Sequence, residues 1–65
     1  MMYEMLVRKL NQGVYVRRKT RFQSHATASR AMSRMMNTGR YDSIIVRPEG
    51  SDDFYPPKHC IIDEE

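Results

Sequence analysis

The 65-residue sequence has no Trp, two Phe and a single Cys, and only three Gly and three Pro punctuate it. Each shortage excludes something. One cysteine, Cys60, allows no internal disulfide, which separates the chain from stapled secreted scaffolds and suits a reducing cytosol. No apolar run approaches the roughly 18 residues of a membrane span, and no charged start leads into a long apolar stretch, so a soluble cytoplasmic protein without a membrane partner is expected. The glycine patterns that cradle phosphates or dinucleotides are missing, as is a nucleophile elbow. Two His and one Cys fall short of the roughly four ligands of a structural zinc site. His59 beside Cys60 hints at an activated thiol, but neighbours in an extended segment point to opposite faces. We therefore expect no catalytic residue, no metal and no cofactor.

Length limits the rest. A second core cannot be built from so short a chain, so one small domain of modest stability is predicted. With few aromatics, that core must lean on Met, Val, Ile and Leu, and six Met supply flexible, adaptable side chains.

Charge is what the sequence has in excess. The formal net charge is +3, but residues 1–48 hold ten Lys and Arg against Glu4 and Asp42, a balance of +8. Residues 49–65 hold six acids against Lys58, a balance of −5. The chain divides into a basic body, 1–48, and an acidic tail, 49–65. Such asymmetry concerns partners more than fold.

Local patterning predicts the elements. "YEMLVRKL" and "VYVRRKTRF" are strand-like and flank "NQG", in which Gly13 suits the positive φ of a three-residue hairpin loop and Asn11 another turn position. A two-residue turn would instead align Val7 with Val16 and set Glu4 opposite Lys19, with Tyr3, Met5 and Val7 facing inward. In the second strand Val14, Val16 and Phe22 share one face with Arg18 and Thr20, while Tyr15, Arg17, Lys19 and Arg21 share the other. Ser24 is a natural N-cap for a helix over 25–38, whose Ala28, Ala31, Met32, Met35 and Met36 form an apolar face, and Gly39 suits its left-handed end. "YDSIIVRP", 41–48, reads as a third strand buried on both faces or central in the sheet, ended by Pro48. In the tail, "FYPP" favours extended geometry and "KHCII" can add a short edge strand.

The predicted fold is α+β: a three-stranded, mostly antiparallel sheet made of a hairpin, a helix and a strand, with one helix on one face and a possible fourth edge strand from the tail. A sheet covered on one side leaves the other to solvent or a partner. That face should carry Tyr15, Arg17, Lys19 and Arg21, an aromatic ring among cations, as sheet-type nucleic-acid binders present phosphate contacts and a stacking platform. A solvated strand face that maintains solubility is the bland alternative. Arg30 and Arg34, one turn apart on the helix, repel each other without a local compensating charge. They and Arg47 are candidates to extend the contact surface.

The acidic tail either folds back on the basic face and mutes it or offers a second contact site. Within "DDFYPP", Phe54 is either an interface anchor or a core residue. Asp52 and Asp53 with Glu49 read as a solvated acidic turn.

Hairpin, helix, a strand closing on Val46, Arg47 and Pro48, and an irregular tail together resemble small phage-encoded inhibitors of host machinery. The layout over residues 3–48 is similar to the short host RNA polymerase inhibitors of T7-like phages, whose last strand also ends in Val-Arg-Pro, and to some anti-CRISPR proteins of like size. In the polymerase inhibitors, arginines near that strand end and an acidic stretch contribute to binding; Arg47 is the position that matches. This chain is more basic in the helix and second strand. The resemblance implies a non-enzymatic binder, phage or prophage encoded, acting on a host protein of nucleic-acid metabolism or defence. The alternative is direct binding of RNA or DNA by the same basic residues. The exposed edge of the first or third strand leaves both monomer and homodimer open.

Overall fold

Period-2 strands on either side of a turn and a capped Ala- and Met-rich segment organise the chain. The computed structural model describes residues 2–50 and 55–64, with β1 (Tyr3–Lys9), β2 (Tyr15–Phe22), α1 (His25–Met36), β3 (Tyr41–Pro48), a 3₁₀ turn (Lys58–Cys60) and β4 (Ile61–Asp63). Ser51 to Phe54, and with them the expectations placed on Asp52, Asp53 and Phe54, lie outside the described residues.

The hairpin turns on Asn11, not on Gly13. Asn11 takes the left-handed conformation at φ 66°, and the Gln12 N–H donates to the Lys9 carbonyl at 3.2 Å. Asn is among the few non-glycine residues that tolerate this region. Val7 consequently faces Val16, the register of the tighter turn. The pairing then slips: Leu6 faces Arg17 while Glu4 faces Arg21, so three residues of β2 stand against Met5. The two extra residues preserve the face of each side chain but displace Glu4 from the expected partner Lys19. Lys19 and Thr20, within the irregular stretch, are exposed.

The strand order is β3-β1-β2-β4. β1 pairs antiparallel with both β2 and β3, and β4 lies parallel to β2, giving a mixed four-stranded sheet. The sequence places β3 in the middle, but that place belongs to β1. β2 already occupies one edge of β1, so the helical connection carries the chain across the sheet to its other edge. Ile44, Ile45 and Val46 are thus half-buried edge residues, whereas Met5, Leu6 and Val7 of β1 are at most 2 % exposed.

The side chains of β1 divide the core into two layers. Met5 and Val7 share a face with Val16, Ile44 and Val46, and α1 packs on it, chiefly over β3. Ala28 is the buried contact of the helix, and the Tyr3 ring meets His25 edge-on at 5.8 Å. Ser24 caps the helix through its Oγ, which accepts from the Thr27 N–H at 3.2 Å, and Gly39 turns the chain out at φ 73°. Met36, at the last turn, remains exposed. Among the described residues no helix is long and apolar enough to cross a membrane.

Replacing Ser24 with Ala removes one of the few ties at the start of the single α-helix and should cost about 1 kcal/mol. In a domain of this size that corresponds to a fall in Tm of about 4–8 °C, measurable by circular dichroism.

Candidate functional site

The sheet face away from the helix is where the sequence places an open basic surface, and it is closed instead. Leu6 is fully buried there, Tyr15 is 3 % exposed, and Tyr55 stands edge-on to the Tyr15 ring at 6.1 Å. Pro56, joined to Tyr55 by a cis peptide bond, is also fully buried. The Tyr15 hydroxyl donates to Ser43 Oγ at 2.9 Å, and the Arg8 guanidinium lies 5.3 Å from its ring centre. Tyr15 is therefore a core residue with its polar tip satisfied and not a ring available to a base. The expected open face fails at Tyr15, whose ring meets Tyr55 edge-on and whose hydroxyl is bonded to Ser43.

Charge on this face is settled within the chain. Glu4, 3 % exposed, accepts from Arg47 Nε at 2.8 Å, and Arg47 is 5 % exposed. Arg17 Nε stands 3.7 Å from the other Glu4 oxygen, an ion pair too long for a hydrogen bond. Arg47, matched above to the contact arginines of the phage inhibitors, is here held in the interior by Glu4. The tail supplies further counter-charges. Asp63 lies 3.6 Å from Arg17, Glu64 3.4 Å from Arg18 and Glu49 3.3 Å from Arg21, while Asp42 pairs with Arg8 at 3.1 Å. Arg21 also donates to the Arg18 carbonyl. Glu49, Asp63 and Glu64 therefore fold back on the basic strand. The position of Arg18, ambiguous from alternation alone, is decided by Glu64.

Three of the sequence-picked cations, Lys19, Arg30 and Arg34, keep their side chains outside these ion pairs. Arg30 and Arg34 are exposed on α1 and, among the described residues, have no acidic partner. Together with Phe22, Thr27 and Ala31 they line a groove of about 420 Å³ between the helix and the end of β2. The exposed Lys19 lies three residues before Phe22 on that strand, and its N–H donates to Glu64 Oε1 at 3.1 Å. Of the seven picked residues, then, Tyr15 and Arg47 are core, Arg17 and Arg21 are ion-paired and partly covered, and Lys19, Arg30 and Arg34 are accessible.

Family models, curated proteins and solved structures give no match to the chain. The candidate surface therefore rests on geometry alone.

Several participants escape a reading of sequence. Glu4 is signalled by being the first acid among many cations, inside a strand otherwise apolar at its centre. Phe22 and Ala31 carry no signal beyond their apolar character. His59 and Cys60, expected in an extended segment, lie in the 3₁₀ turn, where the Cys60 N–H donates to the Pro57 carbonyl at 2.9 Å.

Replacing Glu4 with Ala breaks its buried ion pair with Arg47 and should cost about 3–5 kcal/mol, whereas Asp42→Ala at the exposed Arg8 pair should cost under about 1 kcal/mol. Urea unfolding midpoints distinguish the two. Hydrogen bonding to Tyr15 raises the Tyr55 phenol above its ordinary value. A raised phenol holds its proton longer in the folded than in the unfolded chain, so its contribution is complete below the ordinary tyrosine range and is lost as pH rises through the folded value. A Tyr55→Phe chain should lose less stability than its parent as pH is raised above about 10, checked by urea unfolding across that range.

Proposed function

We propose that this protein is a small non-enzymatic binding module that occupies an acidic surface on a larger protein of nucleic-acid metabolism or defence. The observation that carries this reading is the contrast between the two sets of arginines. Those of the sheet are neutralised inside the chain, whereas Arg30 and Arg34 stand accessible beside a groove whose floor includes Phe22 and Ala31. Two like charges one turn apart repel by a few tenths of a kcal/mol, and an anionic partner removes that cost. Apolar surface beside them adds contact area that bare charge cannot.

Direct binding of RNA or DNA draws on the same cations. The burial of Tyr15 weighs against it, since single-strand binders join a basic track to rings on which bases stack. Internal pairing of Arg17, Arg18 and Arg21 also reduces the number of cations free to displace counterions.

The test is charge reversal on the helix. Arg30→Glu with Arg34→Glu should abolish the capture of specific proteins from a bacterial lysate, read by mass spectrometry, while leaving the circular dichroism spectrum intact. Unchanged capture overturns the reading. A mobility shift of nonspecific DNA that is strong at low salt, steeply salt-dependent and lost in the same double variant would replace it with the nucleic-acid alternative.

A further inference from the structure

The tail enters the sheet by a contact that has the form of a recognition mode. β4 spans three residues, set parallel to the first three of β2, with Tyr15 beside Ile61, Val16 beside Ile62 and Arg17 beside Asp63. Beyond the strand, the Glu64 N–H donates to the Arg17 carbonyl at 3.0 Å, and the Glu64 carboxylate accepts from the Lys19 N–H at 3.1 Å while pairing with Arg18. An acidic side chain thus caps the strand edge at the point where backbone pairing stops. From Lys19 to Phe22 the outer edge of β2 has no strand partner among the described residues, and it runs toward the groove lined by Phe22, Arg30 and Arg34.

We infer that the outer edge of β2 is a docking site for an extended acidic peptide segment of a partner protein, and that Ile61 to Glu64 occupy part of it as a resident competitor. Strand addition takes affinity from main-chain hydrogen bonds and specificity from alternate side chains. Here the Arg17 and Arg18 side chains and the Lys19 backbone N–H hold carboxylates, as Asp63 and Glu64 already demonstrate within the chain. The resident strand is weakly held. It is three residues long, Asp63 is 80 % exposed, and solvent-facing ion pairs contribute about 0–1 kcal/mol each. A longer acidic segment can displace it and pair along more of the eight-residue edge. The opposite edge, β3, lacks this chemistry, for Asp42 and Arg47 are already paired within the chain and the centre of the strand is Ile44, Ile45 and Val46.

This inference rests on the reading of the protein as a binder of acidic protein surfaces, and its test uses a probe independent of lysate capture. The probe is a labelled peptide, Ile-Ile-Asp-Glu-Glu, with the sequence of residues 61–65, titrated into the 65-residue chain and into its Asp63→Asn/Glu64→Gln variant. Loss of the resident carboxylates should tighten peptide binding by about tenfold, the gain expected when an edge open one tenth of the time becomes free. Amide shifts should fall on Arg17 to Phe22, and the neutral peptide Ile-Ile-Asn-Gln-Gln should not bind. Equal affinity for both proteins, or shifts confined to α1, overturns the edge site; displacement of the peptide by a single-stranded oligonucleotide of equal charge shows a site for any polyanion and overturns it too. If the peptide fails while helix charge reversal still abolishes capture, the edge is wrong and the helix surface stands. If the peptide binds as expected and capture is indifferent to the helix, the edge stands and the helix surface falls.

Discussion

The carboxylate of Glu4 is the constraint on which the rest of the arrangement depends. It sits on the central strand and meets Arg47 of one neighbouring strand and, diagonally, Arg17 of the other, so a single buried charge ties three strands. A buried ion pair of this kind adds little net stability, because desolvation cancels most of the attraction. Its effect is on register. Sliding either neighbour would draw the buried Glu4 carboxylate away from a guanidinium that holds it, a far greater penalty than the pair is worth when made.

From that tie follows the division of the other charges. Arg17 is drawn toward Glu4 and finds its second partner in Asp63, which recruits the end of the tail to the edge of β2. Glu49, just past β3, reaches Arg21, while its N–H donates to the Met2 carbonyl at 2.9 Å. The acidic tail is therefore part of the same electrostatic structure as the basic body. What the chain offers to a partner is charge outside these pairs: Arg30 and Arg34 beside the groove at Phe22, with Lys9, Lys19 and Arg40 exposed elsewhere.

The two faces of the sheet are covered in different ways, and each cover has a cause. The helix covers one because its Ala28 lets it approach the sheet closely. Tyr55 and Pro56 cover the other because Tyr15, Leu6 and the shielded ion pair form a surface too apolar to leave in water. A ring among cations on a strand reads equally as a stacking platform or as a core side chain. A tyrosine satisfies both descriptions until its hydroxyl has a partner, and here that partner is Ser43 on a strand distant in sequence.

Sequence alone determined the parts whose causes are local. Period-2 alternation and turn residues set the hairpin, Ser24 and Gly39 bounded the helix within two residues, and the run from Tyr41 to Pro48 formed the third strand along its whole predicted length. Alternation left two registers open for the first strand, and the inward set Tyr3, Met5 and Val7 belongs to the tighter turn that the structure adopts. Only the tertiary structure decided which strand is central, that Asn11 and not Gly13 takes the turn, that Tyr15 and Arg47 are interior, and that Arg18 belongs to Glu64. Apart from the turn at Asn11, a local choice between two loop lengths, those outcomes turn on pairings between residues tens of positions apart. The physical reason is that a side chain's periodicity fixes its face, whereas its burial and its charge partner depend on what the remote chain lays over that face.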